Sequence, residues 1–239
     1  CGFENYFING FFGGRGSNHE NLTGFKNLLG LKIIDSLSIK CKMAVNFQPG
    51  AFYHVFNRGN NKEDIFIEDR NYFFFLNLMS KHLTTICDVY SYCLLKNHFH
   101  ILLKFKEKEQ LSSSYQDNNH LHQPFSNLFN SYTKSINKAY ERTGSLFQEH
   151  LHKIWVYDID YLRHLIGYIH LNPSKHGFSD DFKNYPYSSF QSILSSKPTK
   201  LFRDEVIQLF GDLENFIYWH DWKKIKTDGI IAEIEKIDN

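Results

Sequence analysis

The chain has 239 residues, of which 17% are aromatic, enough to exclude disorder over most of its length and to build one sizeable core. A formal net charge of +1 provides no bulk attraction to a nucleic acid, so binding of that kind has to come from local groups. Cys1, Cys41, Cys87 and Cys93 show neither a C-x-x-C pair nor disulfide-rich spacing, and no apolar run nears the roughly 18 residues of a membrane span, so the expectation is a soluble cytoplasmic protein with reduced thiols.

Residues 1–42 carry Gly10, Gly13, Gly14 and Gly16 among aromatics, without a sustained period, and Met43 follows them. They read as an extension from upstream translation, with an arm lying on nucleic acid as the alternative. Residues 51–57 are β-rich, and Arg58-Gly59-Asn60-Asn61 makes a turn. Asp69 can cap an amphipathic helix in which Tyr72, Phe75, Leu76, Met79 and Leu83 recur at helical spacing. Residues 89–95 and 99–105 read as two strands, or one long strand bent near Lys96-Asn97. Residues 107–123 are polar and read as a flexible loop. Pro124 opens a helix whose Phe125, Leu128, Phe129, Tyr132, Ile136 and Tyr140 share a face until Gly144. Residues 146–157 read as a strand. Asp158 then caps a helix carrying Ile159, Leu162, Ile166 and Ile169 on its core side, which Pro173 should end at Asn172.

Strand, helix, strand, strand, helix, strand, helix suits an α+β fold of ferredoxin-like type, an antiparallel sheet with helices on one face. The domain expectation is an extension over 1–42, a catalytic domain over 43–200, and a helical appendage over 201–239.

The chemistry centres on Lys96-Asn97-His98-Phe99-His100. Side chains two apart on a strand share a face, so His98 and His100 form a two-imidazole platform while Phe99 and Ile101 point into a core. Alone, such a pair is more often just two half-exposed strand histidines. On the last core helix Tyr168 and Asn172 stand four apart and share a face, with His164 one turn further back. A divalent cation on His98, His100 and the Asn172 amide oxygen, Mg²⁺ or Mn²⁺ by donor type, would polarise a phosphodiester and leave Tyr168 to attack phosphorus. Without the histidines, Tyr168 would simply be a packed helix aromatic.

Four stretches stand in the order seen in single-tyrosine HUH transposases: Tyr53-His54-Val55-Phe56-Asn57-Arg58-Gly59-Asn60-Asn61, Asn97-His98-Phe99-His100-Ile101-Leu102-Leu103, Arg142-Thr143-Gly144-Ser145-Leu146-Phe147-Gln148 and Tyr168-Ile169-His170-Leu171-Asn172-Pro173. The chain most resembles the REP-associated tyrosine transposases from about Phe52 to Phe190. The resemblance implies an HUH nuclease fold, a divalent metal on His98 and His100 with Asn172 in the third place, and Tyr168 as nucleophile. It also implies single-stranded DNA with an adjacent hairpin as partner, cut to leave a 5′-phosphotyrosine and a free 3′-hydroxyl, by a monomer or homodimer. In and beside these motifs Asn57, Arg58, Asn60, Lys96, Asn97, Arg142, Gln148, His164 and Lys175 are the candidate DNA contacts. Lys96 departs from the pattern, which usually has proline there, and so puts the local bend in question.

His150 and His152 make a second pair that could join a structural Zn²⁺ site, which the resemblance does not require. Lys104, Lys106, Lys134, Lys138, Arg142, Lys153 and Lys175 could track a DNA backbone, although each is more commonly a solvated charge. The rival functions are a rolling-circle initiator or relaxase, which shares the chemistry, and a domesticated DNA-binding module that no longer cuts.

Overall fold

In the computed structural model residues 46–116 and 120–221 are described. Of the two units of the chain, Cys1–Met43 and Ala44–Asn239, all described residues belong to the second. The expectations for residues 1–42 lie outside the described residues, as does the end of the 201–239 segment.

Four strands form one sheet: β1 (Phe52–Arg58), β2 (Cys87–Leu95), β3 (His98–Phe105) and β4 (His152–Val156). Their spatial order is β2-β3-β1-β4, with every pair antiparallel, which is the ferredoxin-like arrangement expected. Residues 87–105 are two strands and not one: β2 and β3 pair across the Lys96-Asn97 turn. That turn is anchored, because the Lys96 carbonyl accepts from both Ile65 N (2.8 Å) and Phe66 N (2.9 Å), and Gly59 N donates to Asn97 O (2.8 Å). Lysine in place of proline therefore leaves the bend intact.

Period-two alternation sorts the strands into two faces. Tyr53, Val55, Leu94, Phe99, Ile101, Leu103 and Phe105 pack on α1 (Asp69–Leu83) and α2 (Gln123–Ala139) in one buried cluster. Cys93, Leu95, Leu102 and Val156 belong to a second cluster with α3 (Ile159–Lys175), α4 (Phe190–Leu194), α5 (Arg203–Leu209) and α6 (Leu213–Trp219). The expected α+β sheet is present, but the one-sided helical layer is corrected: only α1 and α2 lie on the first face. The physical reason is the strand composition. The central strands are buried on both faces, β3 at every position but Lys104, so a single helical layer would leave one face wet.

Several boundaries differ from the sequence reading. Glu68, not Asp69, is the N-cap of α1, in a reciprocal capping box with Asn71. In the stretch expected as a flexible loop, Leu111, between two short 3₁₀ turns, and Leu121, just before α2, are buried in the first cluster. β4 covers only the second half of 146–157; upstream of it Phe147 makes an isolated bridge to Gly59. Asp158 caps α3 as expected, accepting from Tyr161 N at 2.7 Å. That helix runs past Pro173 to Lys175, since a proline in the last turn forfeits one helical hydrogen bond while His176 N still reaches Asn172 O (3.0 Å).

The outer edge of β2 is covered by the irregular stretch after α3: Leu94 N donates to Tyr187 O and Ser189 N to Tyr92 O, each at 2.9 Å. Among the described residues no helix is long and apolar enough to cross a membrane.

Candidate active site

His98 and His100 share one sheet face, and α3, which packs on that side, brings Tyr168 against His100 with Asn172 one turn further along the helix. The Tyr168 ring meets His100 edge-on at 5.9 Å between centroids, and the two histidine rings are 5.3 Å apart at 89°. None of the four is half-exposed as strand histidines often are: His98 is 7% exposed, His100 2%, Tyr168 1% and Asn172 0%.

Hydrogen bonds prepare both imidazoles. His98 Nδ1 lies 2.7 Å from Asn97 Oδ1, an acceptor, so Nδ1 carries the proton and Nε2 keeps its lone pair. His100 Nδ1 lies 3.1 Å from His54 Nε2, and donation in that direction leaves Nε2 of His100 a lone pair too. Burial, and then the cost of adding a second charge beside His100, His176 and Arg58, pushes His98 down to about 2. Burial again, with His176, Arg58 and Lys175 behind it, pushes His100 down to about 3. Both rings are neutral near pH 7, the form that ligates a metal.

The fit to a divalent cation rests on buried atoms left over. Neither His98 Nε2 nor Asn172 Oδ1 has a hydrogen-bond partner among the described residues, while Asn172 Nδ2 donates to Tyr168 O at 3.0 Å and thereby orients the amide. A buried acceptor left unmade costs about 1–3 kcal/mol, which a ligand on those atoms would offset. No group of three His, Cys, Asp or Glu side chains that could hold a metal occurs among the described residues. The unpartnered acceptors that could serve a cation are His98 Nε2 and Asn172 Oδ1, an imidazole nitrogen and an amide oxygen.

The remaining candidates fall into three groups and one outlier. Arg58 pairs opposite His98 in the sheet register, and Lys175 Nζ sits 4.6 Å from the Tyr168 ring centre, so both bring positive charge to the site. Asn57, Asn60, Asn97 and Gln148 form its scaffold: Asn57 Nδ2 donates to Gln148 O (3.2 Å), Gln148 N to Arg58 O (3.0 Å) and Asn60 N to Leu146 O (2.9 Å). Lys96 and Arg142 are engaged in ion pairs, with Asp64 (2.9 Å) and with Glu63. His164 is brought elsewhere: it is buried, its Nδ1 lies 2.7 Å from Asp160 O, and its ring packs on Trp219. Of the wider basic track, Lys106 donates to Thr84 O and Lys153 lies over Phe47, while Lys134 and Lys138 are exposed on α2. His152 stacks on Phe56 at 5.0 Å and His150 is exposed.

Two neighbours carried no role in the sequence reading. His54 is the partner of His100, and its signal was the alternation that puts residues 54 and 56 on the histidine face. His176, with its ring 4.9 Å from His98, follows the proline where no helical position was expected.

No family model and no curated protein sequence matches the chain. Among solved structures it is similar to a REP-associated tyrosine transposase bound to a REP hairpin, at 16% identity and a TM-score of 0.51. The match covers 65% of this chain and 87% of the other. The two share an α+β fold, here built on the four-stranded antiparallel sheet. Within that fold, α3 is the element on the second face of the sheet that carries Tyr168 to the ring of His100.

Proposed function

We propose that the chain is a DNA-nicking and strand-joining enzyme of the single-tyrosine transposase type. The observation that carries the reading is the pair of buried acceptors without hydrogen-bond partners, His98 Nε2 and Asn172 Oδ1, beside a tyrosine on the same helix face as Asn172. Structural packing alone gives no reason to bury them. The shared fold with a transposase bound to a DNA hairpin supports the same reading.

His98, His100 and Asn172 would hold Mg²⁺ or Mn²⁺, which when bound neutralises charge on a phosphodiester oxygen. Arg58 and Lys175 attract the phosphate, and the Lys175 ammonium already lies against the nucleophile's ring. The Tyr168 phenol oxygen forms a bond to phosphorus and gives up its proton to solvent. The bond from phosphorus to the 3′-oxygen breaks, and that oxygen leaves as a 3′-hydroxyl after taking up a proton. A 5′-phosphotyrosine remains, and a second 3′-hydroxyl reverses the step to join a new strand. The substrate is single-stranded DNA beside a hairpin.

The test is incubation with labelled single-stranded DNA from the flanks of its own gene, with Mg²⁺ or Mn²⁺, followed by mass spectrometry of the covalent complex. A nucleotide-bearing peptide containing Tyr168 is expected. DNA binding with no adduct on any tyrosine would favour the silent binding module instead.

A further inference from the structure

On the far side of α3 a second polar cluster lies entirely in the core. His170, Ser189 and His220 are each 0% exposed, and they come from three separate places: α3, the residue before α4, and the residue after α6. Their hydrogen bonds can be assigned one by one. His220 Nδ1 lies 2.7 Å from Phe216 O, which only accepts, so that nitrogen is the protonated one. The Nε2 of a neutral His220 is then an acceptor, and His170 Nδ1, 2.8 Å away, must donate to it. His170 Nε2 is left to accept, and the Ser189 hydroxyl at 2.7 Å donates to it. Ser189 Oγ in turn accepts from Tyr92 N on β2 at 2.9 Å. The chain of bonds runs from α6 through α3 to the sheet. Burial holds both imidazoles neutral, His220 down to about 4 and His170 well below its ordinary value.

His170 stands two residues from Tyr168 and two from Asn172, so on a helix it points away from the face those two share. Apolar packing resists separation of α3 from its neighbours but does not hold its rotation to a few degrees. A chain of directional bonds with one allowed tautomer does. A reactive atom about 6 Å from the helix axis moves about 1 Å for a 10° rotation, and a misplacement of that size can cost on the order of a hundredfold in rate.

We propose that His220, acting through His170, is a positioning residue that sets the rotation of α3 and so the placement of Tyr168 and Asn172 against His98 and His100. This rests on the reading of those four as the reacting site, and it makes the helix after Gly211 part of the catalytic apparatus.

The test uses the full chain with His220→Leu and His220→Gln, which are close in volume; only Gln keeps an acceptor for His170. Nitrogen-15 imidazole spectra, recorded without DNA or metal, should show His170 as the Nδ1-protonated tautomer in wild type, altered in His220→Leu and restored in His220→Gln. The rate of Tyr168 adduct formation should fall about ten- to a hundredfold in His220→Leu and recover in His220→Gln. If His220→Leu does not fold, Ser189→Ala removes the donor at the other end of the chain and should slow the adduct similarly. An adduct rate unchanged in the folded Leu or Ala variant would overturn the proposal, as would a Gln variant that regains thermal stability but not rate. A wild-type protein that forms no adduct on Tyr168 overturns the functional reading itself, and that is seen before any variant is made.

Discussion

At the scale of single residues, the site trades stability for chemistry. Asn172→Leu removes an unpartnered buried oxygen as well as the amide bond to Tyr168 O, so its net effect on metal-free stability should stay within about 1 kcal/mol. Affinity for Mn²⁺ should be lost all the same, and calorimetric titration beside a chemical melt reads both. An Asn172→Leu protein that binds Mn²⁺ like wild type would remove the amide from the ligand set. His98→Ala deletes the other orphaned acceptor and should abolish metal-dependent cleavage while the chain stays folded; normal cutting with Mg²⁺ or Mn²⁺ would reassign the platform. Tyr168→Phe keeps the ring against His100 and removes only the oxygen, so the DNA adduct should vanish with a stability change of at most about 1 kcal/mol. Tyr161→Phe is the control. Seven residues back, about 10 Å along the helix axis, it should keep the adduct, and peptide mapping that placed the nucleotide on Tyr161 would overturn the assignment.

Among the elements, the turn after β1 is the most constrained. Gly59 sits where a Cβ would come within 2.0 Å of Glu63 O, a backbone atom that has no side-chain freedom to move aside. Its N–H holds the Lys96-Asn97 turn through Asn97 O, and Phe147 bridges to it from the segment before β4. Gly59→Ala should therefore cost more than about 3 kcal/mol, beyond the usual range for a surface turn. A denaturant titration giving a loss under about 1 kcal/mol would mean the loop relaxes freely and does not brace the histidine strand.

The whole molecule buries neutral histidines on the second face of its sheet, and this ties stability to pH. His98 and His100 are pushed to about 2 and 3, His220 to about 4, and His170 down as well, while the unfolded chain titrates near 6.5. Below about pH 6.5 the unfolded state binds protons that the folded state refuses, so stability is fully present above that pH and is lost as pH falls toward 4. Each such histidine contributes a slope of about 1.4 kcal/mol per pH unit inside the window. Thermal melts in chelator should show the midpoint dropping steadily from pH 6.5 to 5, and excess Mn²⁺ at pH 6 should raise it. A midpoint flat from pH 7.5 to 5 would show that these rings are not held neutral in the fold.

The order of elements, the antiparallel α+β sheet and the pairing of His98 with His100 on one strand face and of Tyr168 with Asn172 on one helix face were legible in the sequence, because each rests on local periodicity: two along a strand, about four along a helix. The buried state of those four side chains was not. Strand alternation says which residues share a face but not what covers it, and the cover here is α3, on the side where a single helical layer was not expected. Nor does sequence show that Lys96 and Arg142 spend their charge on Asp64 and Glu63, or that His164 lies under Trp219, since those partners are 32, 79 and 55 positions away. Period and capping are set within a few residues and can be read along the chain. Burial, ion pairing and the tautomer of a histidine depend on which distant groups arrive, and only the tertiary structure decided those.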